Sequence, residues 1–148
     1  MWHQIHAQLE KLPGFIAKRK ENFQILYDHL KDLQELFILP KATPKSDPSW
    51  FGFLLTLRDG VKFKRNDIVT YLEEKNIQTR NLFAGNLTRH PCFMPLKEGK
   101  DYCIASELKN TDKIMHDSFW LGLYPGMTEE MIKYMTNQVR SFVGFGEI

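Results

Sequence analysis

Four polar side chains, Arg80, Asn81, Asn86 and Arg89, crowd into a short stretch of the segment 77–93. Guanidinium forks suit carboxylate or phosphate oxygens, and side-chain amides offer a donor and an acceptor each to hydroxyls and carbonyls. Gly85 and Pro91 interrupt any helical or strand period there, so the segment reads as a binding loop carried by a rigid scaffold. Side-chain chemistry alone makes it an anion-binding loop and nothing more specific.

Other combinations of reactive residues yield to plainer readings. His3 and His6 lie one helical turn apart, but no third metal ligand is placed by the sequence. His90 and Cys92 flank Pro91 and do not face one another as a base and nucleophile would, so Cys92 is expected to be a buried or neutral thiol. His116, Asp117 and Ser118 are adjacent in sequence, whereas a catalytic triad is assembled in space. The acid pairs Glu73–Glu74 and Glu129–Glu130 read as solvated helix faces, with the second pair at a positive helix end.

The elements that must hold the loop follow from periodicity. Ile5, Leu9, Leu12, Ile16, Phe23, Leu26, Tyr27, Leu30 and Leu33 recur at helical spacing, with a kink or a fresh start expected at Pro13 and Gly14. The face formed by Trp2, Ile5 and Leu9 has nothing in the chain to cover it and is expected to drive self-association or meet a missing neighbour. Phe37 to Leu39 is a brief apolar run before an irregular connection through Pro48, and residues 50–57 form the strongest strand, closed by Asp59 and Gly60. A helix capped by Asn66 and ended by Asn76 comes next, with Ile68, Val69, Tyr71 and Leu72 buried.

Beyond the loop, residues 102–105 read as a short strand, and Asn110 or Thr111 as the cap of a helix running to His116. Residues 119–124 read as a second core strand. Thr128 caps a last helix whose buried stripe is Met131, Ile132, Met135, Val139, Phe142 and Val143. The resulting class is α+β, a small antiparallel or mixed sheet with helices on one face.

Composition narrows the function. At 148 residues, 43% apolar and 26% charged, the chain has enough sequence for one ordinary core, and a net charge of +2 gives no reason to expect nucleic acid. Polar residues interrupt the start where a secretory signal needs an apolar run, no stretch is long enough to span a bilayer, and two cysteines without metal spacing fit a cytoplasmic protein.

Four segments in order, 8–16 around Leu12, Pro13, Gly14 and Phe15, 46–53 around Pro48 and Trp50, 80–89, and 117–126 around Trp120 and Gly122, resemble the C-terminal part of sugar-nucleotide dehydratases of the DegT-type aminotransferase family. The CDP-4-keto-6-deoxyglucose 3-dehydratases of lipopolysaccharide and dideoxysugar biosynthesis are the members most similar. The resemblance implies the small domain of a fold-type I pyridoxal-phosphate enzyme, with residues 1–36 as a linker helix and 37–148 as the domain proper. It implies that the large domain, with its cofactor pocket for pyridoxal or pyridoxamine phosphate, lies outside this chain, in the same or another polypeptide. It also implies that Arg80, Asn81, Phe83, Asn86 and Arg89, with Trp50 as a weaker candidate, contact a nucleotide-linked 4-keto-6-deoxysugar. On this reading the chain is not expected to dehydrate substrate alone, and no catalytic, cofactor or metal residue is assigned within it. The alternative is a stand-alone, non-catalytic binding or interaction module.

Overall fold

Strict alternation in two strands decides which way the domain faces. In a computed structural model describing the backbone of residues 2–147 and side chains of residues 8–147, β2 (Gly52–Leu57) and β4 (Ser118–Gly122) pair antiparallel at the centre of the sheet. Side chains alternate across a strand, so Phe53, Leu55, Leu57, Phe119 and Leu121 point to one face and are fully or almost fully buried. Burying each such side chain stabilises the fold by about 1.5–3 kcal/mol.

The sheet order is β1-β2-β4-β3, with β1 (Phe37–Ile38) on one edge and β3 (Thr79–Asn81) on the other, every neighbouring pair antiparallel. Among the described residues four α-helices complete the domain: α1 (Trp2–Leu30), α2 (Arg65–Glu74), α3 (Lys109–Asp117) and α4 (Glu129–Phe142). The buried face of the sheet packs on Phe23, Leu26 and Leu30 of α1, Ile68 and Leu72 of α2, and Ile132, Met135 and Val139 of α4. The α+β class and the helix-covered antiparallel sheet agree with the expectation from the sequence. No helix among the described residues is long and apolar enough to cross a membrane.

Of the kink or fresh start expected at Pro13, the fresh start does not occur: α1 is one helix through Pro13. Proline deprives only one carbonyl of its helical partner, and residues 8–15 are exposed, so water satisfies that carbonyl. The apolar stripe of α1 then divides: its C-terminal half enters the core, while Leu9 remains 55% exposed and Leu12 and Phe15 are also exposed. The side chains of Trp2, His3, Ile5 and His6 lie outside the described residues.

Capping differs from expectation at the start of two helices and agrees at two other helix ends. α2 starts one residue before Asn66, and its first turn is closed by Asp67, whose carboxylate accepts the Lys64 N–H at 2.8 Å. Its end does use Asn76, at φ 59°, with Asn76 N–H donating to the Glu73 carbonyl and Ile77 N–H to the Leu72 carbonyl. α3 begins before Asn110 and Thr111, which sit inside it. Thr128 caps α4 by accepting the Met131 N–H at 3.3 Å. Met131 itself is 45% exposed, because it lies about 100° round the helix from Ile132. Residues 102–105 form no strand; Tyr102 makes one isolated bridge with Glu98. Arg140 locks α4 to the end of α1 through the His29 carbonyl (3.0 Å) and the Asp32 carboxylate (2.7 Å).

Candidate functional site

The face of the sheet opposite the core carries the candidate site. Out of phase with Phe119 and Leu121, Trp120 projects outward, between Leu54 of β2 and Arg80 of β3 in register. Its ring lies over Gly52 so closely that a Cβ there would come within 2.8 Å of the indole Cε3. Phe51 meets Trp120 edge-on with centroids 5.9 Å apart, and Phe83 does the same at 6.2 Å. These rings border a cavity of about 470 Å³ completed by Gln78, Arg80 and Asn81. Phe51 is 74% and Phe83 81% exposed, unusual for rings of that size unless a partner or ligand covers them.

The sequence placed residues 77–93 in a loop, but Thr79–Asn81 is an edge strand. Glu73, read from sequence as a solvated acid, starts that strand: its Oε1 accepts both the Thr79 N–H (2.6 Å) and the Thr79 hydroxyl (2.8 Å). The Thr79 N–H, then its hydroxyl, hold the Glu73 carboxyl below its ordinary pKa. Arg80 is thereby presented from a strand, a firmer mount than a loop.

From Leu82 onward the segment is irregular. Phe83 has φ 38°, a conformation uncommon and strained for a large side chain, and Gly85 follows at φ 64°. Short 3-10 turns occupy Leu87–Arg89 and Pro91–Phe93. Asn86 caps the first, its Oδ1 accepting from the Thr88 N–H at 3.1 Å and the Thr88 hydroxyl at 2.8 Å. The other end of the amide donates to Asp112 Oδ1 at 2.6 Å, and Asn86 is only 3% exposed. Arg89 grips the same carboxylate with both arms of its fork, Nε to Oδ1 at 2.7 Å and Nη2 to Oδ2 at 2.6 Å. Arg89 and then Asn86 hold the Asp112 carboxyl well below the usual carboxylate range.

The six residues assigned from sequence therefore separate into three places. Arg80, Asn81 and Phe83 come together on the cavity. Asn86 and Arg89 do not line it; they are bound to Asp112 on α3. Trp50 lies apart from both, stacked on Phe23 at 4.2 Å and 5° beside α1. Sequence reasoning missed Phe51, Gly52 and Trp120, although the strand alternation that buries Phe119 and Leu121 was enough to turn Trp120 outward. Asp112 carried no local signal.

The remaining chemical candidates are accounted for. Ser118 is buried and shares a 2.7 Å hydrogen bond with Thr56, while Asp117 pairs with Lys113, so no triad forms with His116. Cys92 and Cys103 are free and exposed; of the two alternatives expected for Cys92, a buried or a neutral thiol, burial does not hold, because Pro91–Phe93 runs as a surface turn, and His90 bonds the Ala84 carbonyl.

Fold and sequence together define the class: the chain belongs to the DegT/DnrJ/EryC1/StrS aminotransferase family, whose profile matches residues 5–140. Among its relatives are the lipopolysaccharide biosynthesis protein RfbH of Salmonella typhimurium, 46% identical over 93% of this chain and 31% of that protein. Another is the dTDP-4-dehydro-2,6-dideoxy-D-glucose 3-dehydratase of Saccharopolyspora spinosa, 44% identical over 93% of this chain and 29% of that protein. The Escherichia coli GDP-4-keto-6-deoxy-D-mannose-3-dehydratase with bound hydrated PLP has the same fold over 89% of this chain and 32% of its own, with a TM-score of 0.77 at 23% identity. The chain spans about a third of the length of the relatives it matches.

Proposed function

We propose that this chain is the substrate-contributing small domain of a pyridoxal-phosphate-dependent sugar-nucleotide 3-dehydratase in deoxysugar and O-antigen biosynthesis, residues 1–36 serving as its linker helix and 37–148 as the domain. The observation that carries this reading is the convergence of Arg80, Asn81 and Phe83 on one cavity walled by Phe51 and Trp120, in a chain whose relatives include sugar-nucleotide 3-dehydratases. Arg80 supplies a fixed positive fork for a diphosphate, Asn81 and Gln78 supply amides for sugar hydroxyls or a carbonyl, and the rings supply flat apolar faces. Asn86 and Arg89 serve this site by shaping the loop rather than by touching the ligand. Nucleotide-sugar chemistry and exposed free thiols both suit the cytoplasm.

The cofactor belongs elsewhere in the enzyme. Pyridoxal phosphate lends its ring as an electron sink and requires an imidazole or amine near its carbonyl and several donors around its phosphate. The cavity offers one guanidinium and two amides and no amine, so its residues do not fit as the cofactor's seat. What this chain does in the reaction is bind and orient the sugar nucleotide and shield one side of it from water. The exposed Leu9, Leu12 and Phe15 on α1 are where the catalytic domain, or a second subunit, is expected to pack.

Grafting tests the proposal directly. With the matching third of the Salmonella relative replaced by this chain, the chimera should bind its nucleotide sugar, and Arg80→Ala should weaken binding by about 1.5–3 kcal/mol in isothermal titration. Unchanged affinity on removing Arg80 would return the cavity to a structural role. The isolated chain mixed with pyridoxal phosphate should show no absorbance band of bound cofactor, and a stable band would refute the assignment of the cofactor's seat to another domain.

A further inference from the structure

One carboxylate on α3 is bonded by two residues of the loop beside the cavity. Asp112 receives three hydrogen bonds from side chains more than twenty residues upstream, one from Asn86 and two from Arg89. The same helix holds the loop a second way. Met115 packs on Gly85 so tightly that a Cβ at residue 85 would sit 2.7 Å from the Met115 Cγ, and the Asn86 N–H points at the Met115 sulfur at 3.4 Å. Phe83, two residues before Gly85, carries a strained backbone and a ring with little cover, so neither local preference nor burial keeps it in place. Its position is set by the held segments on either side, β3 ending at Asn81 and the residues from Gly85 to Arg89 anchored on α3.

We propose that Asp112 is a positioning residue: by binding Asn86 and Arg89 it holds the loop against α3 and thereby fixes Phe83 against Trp120 at the rim of the cavity. Its relevance to ligand binding rests on the reading of that cavity as the sugar-nucleotide wall. Asp112 acts on the ligand through Asn86, Arg89 and Phe83, since it does not itself line the cavity. Arg89 in turn is a strut, and its Lys substitution, which keeps the charge but loses the two-armed grip, is expected to loosen the loop as well.

The clamp has a readout that general stability does not supply. Phe83 lies edge-on to Trp120, so its ring current should shift the NMR signals of the indole ring protons. In Asp112→Asn those signals should move toward their positions in Phe83→Leu. Exchange of the Arg89 and His90 amides, which donate to the Asn86 and Leu87 carbonyls, should accelerate roughly tenfold or more while the β2 amides stay protected. Signals of Trp50, stacked on Phe23, should not move. Arg89→Lys, which leaves α3 untouched, should reproduce the Trp120 change and replaces Asp112→Asn if that protein does not fold. Trp120 signals and loop exchange unchanged in both variants would overturn the proposal and leave Asp112 as a helix-end stabiliser. Titration with dTDP-glucose separates the two ideas: Arg80→Ala judges the cavity, whereas the ligand-free spectra of Asp112→Asn and Arg89→Lys judge the clamp.

Discussion

The two faces of one sheet are built from the same strands under opposite rules. On the covered face Phe53, Leu55, Phe119 and Leu121 meet three helices and are completely buried. On the other face the intervening positions hold Gly52, Leu54, Trp120 and Arg80, with exposed Phe51 and Phe83 beside them. Since the backbone is shared, the contrast isolates what side chains alone decide. The first face stabilises the domain, and the second leaves aromatic walls open with a guanidinium among them.

Truncation should separate the two faces most sharply. Phe119→Ala removes a ring with no exposed surface and is expected to cost about 3–5 kcal/mol in urea unfolding. Trp120→Ala, one residue along, removes a larger but half-buried ring and should cost only about 1–2 kcal/mol while abolishing ligand binding by the chimera. Equal stability losses would mean that Trp120 belongs to the core and that the division between faces is wrong.

Addition is the next test. Gly52 is the point where the outer face is closest-packed, because the Trp120 ring occupies the space a side chain would need. Gly52→Ala is therefore expected to destabilise by about 1–3 kcal/mol and to shift Trp120 fluorescence. At Gly122, the paired position on β4, a Cβ meets nothing within 4 Å, so Gly122→Ala should leave that fluorescence unchanged.

The same contrast explains what could be read in advance. Periodicity found the covered face, since Ile68, Leu72, Leu121, Ile132 and Val139 each sit where a helix or strand repeat demands burial. Side-chain chemistry pointed to Arg80 and Asn81, and the resemblance added Phe83; the three line one cavity. Neither could foresee that Asn86 and Arg89 are tied to Asp112, because that partner is remote in sequence and the same side chains would serve a ligand equally well. β3 was missed because a three-residue edge strand with one buried side chain has no period to display. Its start depends on a carboxylate in the preceding helix, a tertiary contact invisible to local pattern.

Acid should dismantle the two faces by different routes and with the smallest effects. His29, at the joint of α1 and α4, is held below its ordinary pKa first by burial and then by Lys133, and its Nδ1 lies 3.1 Å from the Thr136 hydroxyl. Protons therefore bind the unfolded chain more readily than the folded one, so the benefit of neutral His29 is complete above about pH 6.5 and declines as the pH falls below that. Asp112 is likewise depressed in the folded state, but its benefit is complete above about pH 4 and declines only in stronger acid. His29→Gln should accordingly flatten the fall in stability between neutrality and pH 5, while Asp112→Asn should leave that interval unchanged and reduce the fall at lower pH. Other depressed carboxylates, Asp32 and Glu73 among them, share the lower interval, so the difference between variants rather than the total slope is diagnostic. If Asp112→Asn altered the upper interval instead, the loop clamp and the helical core would be one cooperative unit, and the separation of the faces would hold for structure but not for stability.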